Sequence, residues 1–208
     1  MSVDNTSLAV DKPKGRWMLL LLFMVFALPV LLVVAMHKYD WHPPGSSNGE
    51  MITPPKPINM PQGLLPLNGK VPQADLWHDK WRLVYVISGS CEKVCQERLH
   101  IMRQLHVSMG KESDRMQRLL IVQAADSLAT EVQAIQQQYP DLIVISKPEP
   151  DVKTLMLQFD LPGEPAGQST RIYLVDPLGN LMMSYPLKVE PAAIRKDLVK
   201  LLTYAWAG

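Results

Sequence analysis

Trp81-Arg82-Leu83-Val84-Tyr85-Val86-Ile87 runs into Ser88-Gly89-Ser90 and then into Cys91-Glu92-Lys93-Val94-Cys95, which holds the only two cysteines of the 208-residue chain. The first seven residues are β-branched, aromatic or otherwise apolar apart from Arg82, and they predict a buried strand. Ser88-Gly89-Ser90 breaks the run. The cysteines then open a segment with helical spacing, apolar at Val94, Leu99, Ile101, Met102 and Leu105 and closing near Gly110. Thiols at the head of a helix meet unpaired N–H groups and the positive end of the dipole, which favour thiolate, the nucleophilic and metal-binding form. Cys91, nearest the turn, is expected to attack first, with Cys95 as the more shielded resolving thiol.

Downstream, Leu119–Val122 and Leu142–Ile145 read as short buried strands. Leu128–Tyr139 between them reads as a helix closed by Pro140. Lys153–Phe159 makes a short helix and Arg171–Val175 a further strand. Asp176-Pro177-Leu178-Gly179-Asn180 is a turn, with Pro presetting φ and Gly accepting a left-handed position, and Leu181–Tyr185 returns as its hairpin partner. A last helix starts at Glu190, takes Pro191 in its first turn and runs to about Ala205. The order β-α-β-α-β-α-β-β-α implies crossover units around a parallel core with a terminal antiparallel hairpin. This is an α/β fold with a thioredoxin-like element order.

Upstream, Trp17–Met36 is twenty residues without a charge. At about 1.5 Å per residue such a helix spans roughly 30 Å, one bilayer core. Lys12, Lys14 and Arg16 precede it and Lys38 alone follows closely, a bias that puts the N-terminus in the cytoplasm. A cleaved signal peptide ending near Val33-Val34-Ala35 is the competing reading; the length of the apolar run favours an uncleaved anchor. Tyr39 and Trp41 fit an interfacial aromatic belt. The expected organisation is a cytoplasmic tail over 1–16, a transmembrane helix over 17–36, a Pro-rich linker over 37–63 and the thioredoxin-like domain over 64–208. Leu64–Val71 reads as a short hairpin turning at Asn68-Gly69. A net charge of +1, with no basic block interleaved with aromatics, argues against a nucleic-acid partner.

The strand, the Cys-x-x-x-Cys at a helix start and the late Tyr173-Leu174-Val175-Asp176-Pro177-Leu178-Gly179 segment together resemble the Sco/SenC family over roughly residues 64–205. These are membrane-anchored thioredoxin-fold proteins that help build the binuclear copper centre of cytochrome c oxidase. The resemblance implies a single-pass protein of the inner membrane with its domain on the periplasmic side. It implies a cytochrome c oxidase subunit or another assembly factor as partner, and Cys91 and Cys95 as the redox and copper-binding pair. The chain departs from the family at Glu92-Lys93-Val94 and Gln96, where prolines are absent. It departs again at Gln168, which stands where the family carries a third copper ligand, a histidine. No histidine follows His106.

Two thiolates suit soft Cu(I), while Cu(II) calls for nitrogen or oxygen ligands as well. The expected cargo is therefore Cu(I) on Cys91 and Cys95, with Cu(II) disfavoured by Gln168. Neither His78, His100 nor His106 is placed by its spacing to complete a site, and the twelve methionines show no Met-x-x-Met cluster. In a regular helix Cβ atoms four apart lie about 5–6 Å from each other, whereas a disulfide needs about 3.8 Å. A disulfide here requires the first turn to loosen, and Gly89 can allow it. So short a loop constrains little chain, which makes stabilisation a poor reason for the bond. Ser88 three residues before Cys91 resembles a peroxidatic motif, but Val84 replaces the proline that motif needs. The residues thus favour a thiol–disulfide oxidoreductase or Cu(I)-handling assembly factor. The alternative is a non-catalytic adaptor that keeps the fold and binds an oxidase subunit or assembly partner.

Overall fold

The computed structural model describes residues 14–38, 47–61, 64, 66–67, 76–123, 128–147 and 151–204. Tyr39, Trp41, His42, the Pro43-Pro44 pair and the Asn68-Gly69 turn lie outside these residues. Helix α1, Lys14–Lys38, contains the expected apolar run and carries Pro29 inside it. Gly15–Met36 has a mean hydropathy of 3.0, long and apolar enough to cross a membrane. Its side chains are apolar all round and, apart from the half-buried Ala27, exposed from Trp17 to Val34, the pattern of a helix made for lipid rather than for one packed face.

Ser47–Gly208 forms a separate compact unit. Its strands are β1 (Glu50–Pro57), β2 (Trp81–Ser88), β3 (Met116–Gln123), β4 (Leu142–Lys147), β5 (Ile172–Val175) and β6 (Asn180–Tyr185). The helices are α2 (Lys93–Ser108), α3 (Ala129–Gln138), α4 (Asp151–Met156) and α5 (Pro191–Tyr204). The sheet order is β1-β6-β5-β2-β3-β4. β2, β3 and β4 are parallel, and β5, β6 and β1 add antiparallel strands beside β2. The parallel core and terminal hairpin are those expected from the element order.

Both faces of β2 are covered, so its seven-residue apolar run does not alternate with polar residues. Leu83, Tyr85 and Ile87 pack with residues of α2, α3 and α5 on one face. Val84 and Val86 pack with Val152, Leu155 and Phe159 of the α4 region on the other. Arg82 is buried within the strand because its guanidinium donates to the carbonyls of Lys80 (2.7 Å) and His78 (2.9 Å). At the β5–β6 turn, the Asp176 carboxylate accepts from the N–H groups of Leu178 (2.9 Å) and Asn180 (2.8 Å), and Gly179 takes φ +85°.

One expectation is corrected. Glu50–Pro57, assigned above to the linker, is strand β1, paired with β6 through Glu50↔Ser184, Met51↔Met183, Lys56↔Leu181 and Pro57↔Asn180. Its prolines hide it from any period-2 pattern, yet proline is tolerated on an edge strand. What holds it is remote in sequence: Asp197 of α5 accepts from the N–H groups of Asn48 (2.7 Å) and Gly49 (3.0 Å) and from the Asn48 amide (2.8 Å).

Candidate functional site

The site is built where β2 ends. Ser88 closes the strand, and Gly89 turns the chain at φ +92°, a left-handed conformation that favours glycine. The Gly89 N–H donates to the Gln123 carbonyl at the end of β3 (3.0 Å), fixing the turn to the sheet. Glu92 is extended (φ −71°, ψ −176°) and α2 begins at Lys93. Cys91 therefore lies before the helix and Cys95 inside its first turn, two residues off the expected start. The two are joined as a disulfide with Cα atoms 5.1 Å apart. The extended Glu92 supplies the loosening that the bond requires, since a regular turn would leave the Cβ atoms too far apart.

Each cysteine is only 5% exposed, so exposure does not rank them as attacking and resolving sulfurs. Glu131, in the first turn of α3, accepts from the Cys91 N–H at 2.6 Å. The Cys91 N–H, one of the donors expected to favour a thiolate, is thus taken up by a carboxylate. Nothing in the sequence spacing pairs residues 91 and 131; only the docking of α3 beside the turn does so.

The buried stripe of α2 is Cys95, Arg98, Leu99, Met102 and Leu105. Val94, counted among the apolar residues of the helical spacing, is exposed, and Arg98 is buried in the stripe. Burial pushes the Arg98 guanidinium below its ordinary range, against the opposing charges of Tyr85 and Glu97. Burial likewise pushes the Tyr85 hydroxyl upward, with Arg98 acting the other way. A charge inside an apolar helical stripe is the signal that apolar counting overlooked.

Beside the end of β2 lies a 3-10 turn, Ala166–Gln168. Asp160 accepts from the Ala166 N–H at 2.7 Å, and Glu164 accepts from the Ser169 hydroxyl (3.0 Å) and from Arg171 Nε (2.8 Å). Gly167 lies so close to Ser88 that no side chain fits between them. The turn bearing Gln168 is thus pinned to the end of β2 from which the cysteine loop leaves. The Gln168 side chain itself is exposed.

The histidines stand apart from this place. His78 precedes β2, whose eight residues span roughly 26 Å before the cysteine loop. His100 is exposed and bonded to Gln104 (2.9 Å). His106, near the end of α2, meets the carbonyls of Ser113 (3.0 Å) and Met116 (3.2 Å). Among the described residues, no three His, Cys, Asp or Glu side chains converge as a metal site. Two sulfurs, once reduced, are donors of the kind that soft Cu(I) takes.

A family model described as "Transmembrane-like, thioredoxin-like, C-terminal domain" matches residues 81–205. No curated protein matches the chain. Several solved structures share the fold. Yeast Sco1 aligns with TM-score 0.59 at 16% identity, over 76% of this chain and 100% of that one. Arabidopsis thaliana ScoI with copper bound aligns with TM-score 0.56 at 17% identity, over 71% and 99%. Bradyrhizobium japonicum ScoI with copper bound aligns with TM-score 0.52 at 22% identity, over 69% and 98%.

Proposed function

Since this chain belongs to the family of transmembrane-like, thioredoxin-like C-terminal domains, we propose that it is a membrane-anchored thiol–disulfide oxidoreductase. Its working pair is Cys91 and Cys95, and its task is the maturation of the copper centre of cytochrome c oxidase. The observation that carries the redox reading is the disulfide, closed between a residue before α2 and one in its first turn. Such a bond constrains too little chain to be explained by stability alone. Exchange proceeds by attack of a partner thiolate on one sulfur, while the other sulfur leaves with the electron pair; a second thiolate of the partner then attacks the partner's own sulfur in the mixed disulfide, which leaves the pair reduced and the partner oxidised. The oxidase as target rests on the Sco-like fold and the Cys-x-x-x-Cys motif.

Reduced, the same two sulfurs offer Cu(I) a site, with copper as cargo rather than resident cofactor. The proposed setting is the inner membrane, spanned once by α1, with the N-terminus in the cytoplasm and Ser47–Gly208 on the periplasmic side. The adaptor alternative keeps the fold and the partner but needs neither sulfur.

The full chain in detergent micelles, equilibrated against glutathione, tests this reading. We expect reversible two-electron cycling, abolished in Cys91→Ser and in Cys95→Ser, and Cu(I) held by the reduced protein but by neither variant. A bond that resists reduction below about −300 mV would class it with structural disulfides and sink the redox reading. Oxidase maturation in cells that proceeds unchanged with either variant would favour the adaptor.

A further inference from the structure

Arg98 is 1% exposed, and its Nε and Nη2 have no hydrogen-bond partner. Among the described residues it makes no ion pair. The other deeply buried arginines also carry unpaired nitrogens, but Arg82 donates to two carbonyls and Arg118 forms an ion pair with Asp141 at 2.5 Å. A buried cation without a partner is costly, and an unsatisfied one calls for an explanation.

Its position supplies one. Arg98 follows Cys95 by three residues in the same buried stripe of α2, where Cβ atoms at that spacing lie about 5–6 Å apart. Long side chains on a helix lean back over the preceding turn, which here is the turn carrying Cys95. In the disulfide, each sulfur is spent on the other. When the bond opens, the freed sulfur can turn toward a donor and accept from it, and Arg98, one turn further along α2, carries two unpaired donor atoms.

We propose that Arg98 is a positioning residue for disulfide reduction: its guanidinium, with Nε and Nη2 unpaired in the oxidised protein, donates to the Cys95 sulfur once the bond is open, and so biases the pair toward the reduced form. The inference rests on the redox reading of the pair. In the step, an external thiol reductant such as glutathione supplies two electrons and two protons. The Cys91–Cys95 bond breaks, two S–H bonds form, and two glutathione molecules join as their own disulfide.

The test uses the full chain in detergent micelles, equilibrated with reduced and oxidised glutathione, as wild type, Arg98→Met and Arg98→Lys. Arg98→Met keeps length and apolar bulk but removes the donors. We expect its equilibrium constant for reduction to fall about tenfold, a potential about 30 mV more negative, with Arg98→Lys recovering part of the shift. Urea unfolding of both redox forms supplies the matching readout: Arg98→Met should weaken the reduced form relative to the oxidised one. Equal losses in both forms with an unchanged constant would show that Arg98 only packs, and would overturn the inference while leaving the redox reading intact. Wild-type protein that does not cycle would overturn both. If Arg98→Met fails to fold, Arg98→Leu, which likewise lacks a donor, carries the same comparison.

Discussion

At Gly167 the absence of a single carbon decides how the candidate site closes. A Cβ there would overlap the Ser88 hydroxyl and lie 2.7 Å from the Met156 methyl. The methyl is the end of a flexible chain and can move aside, but Ser88 is the last residue of β2 and its backbone is fixed by Gln123 of β3. Gly167→Ala should therefore push the Ala166–Gln168 turn off the strand, at about 1–3 kcal/mol, the usual cost of overpacking. Urea unfolding checks the sign, and Ser88→Ala in the same chain should recover part of the loss. Strictly additive effects of the two substitutions would mean that their contact is not the cause.

At the scale of elements, β1 and α5 form one clasp. β6 would be the sheet edge without β1, and the Asp197 carboxylate, buried at the α5 surface, would lose all three hydrogen bonds from Asn48 and Gly49. An unpaired buried carboxylate and an open edge are both expensive. A fragment covering 47–208 should accordingly unfold at a clearly higher urea concentration than one covering 64–208, the boundary that composition alone suggests. Equal midpoints would mean that the β1–β6 ladder contributes nothing. The same comparison separates a strand held by its ladder from one held by local preference, since Pro54, Pro55 and Pro57 give β1 little of the latter.

For the molecule as a whole, the proposed orientation follows from charge beside the span. Lys12, Lys14 and Arg16 on one side against Lys38 on the other favour retention of the N-terminus in the cytoplasm. A reporter fused after Gly208 should be active only when exported; activity confined to the cytoplasm would reverse the orientation and with it the oxidising setting of the disulfide. Much of this architecture was legible beforehand. Continuous apolarity marked α1 and β2, breaker residues marked the turns, and alternation of strands and helices ordered the parallel core. Those signals are local, being periodicity and punctuation along the chain. The two cysteines were equally plain as a motif. The rest depends on contacts between residues far apart in sequence. Glu131 reaches Cys91 across forty positions and Asn48 reaches Asp197 across 149, and Gly167 meets Ser88 only because the β5 strand lies beside β2. Sequence alone therefore determined the cysteine motif and the order of most elements. Tertiary structure alone decided that a proline-rich stretch is a strand, that α2 starts after Cys91, and that Arg98 lies buried in α2 with two nitrogens unpaired. Hydrogen-bond pairing and burial arise between segments, and no local pattern records them.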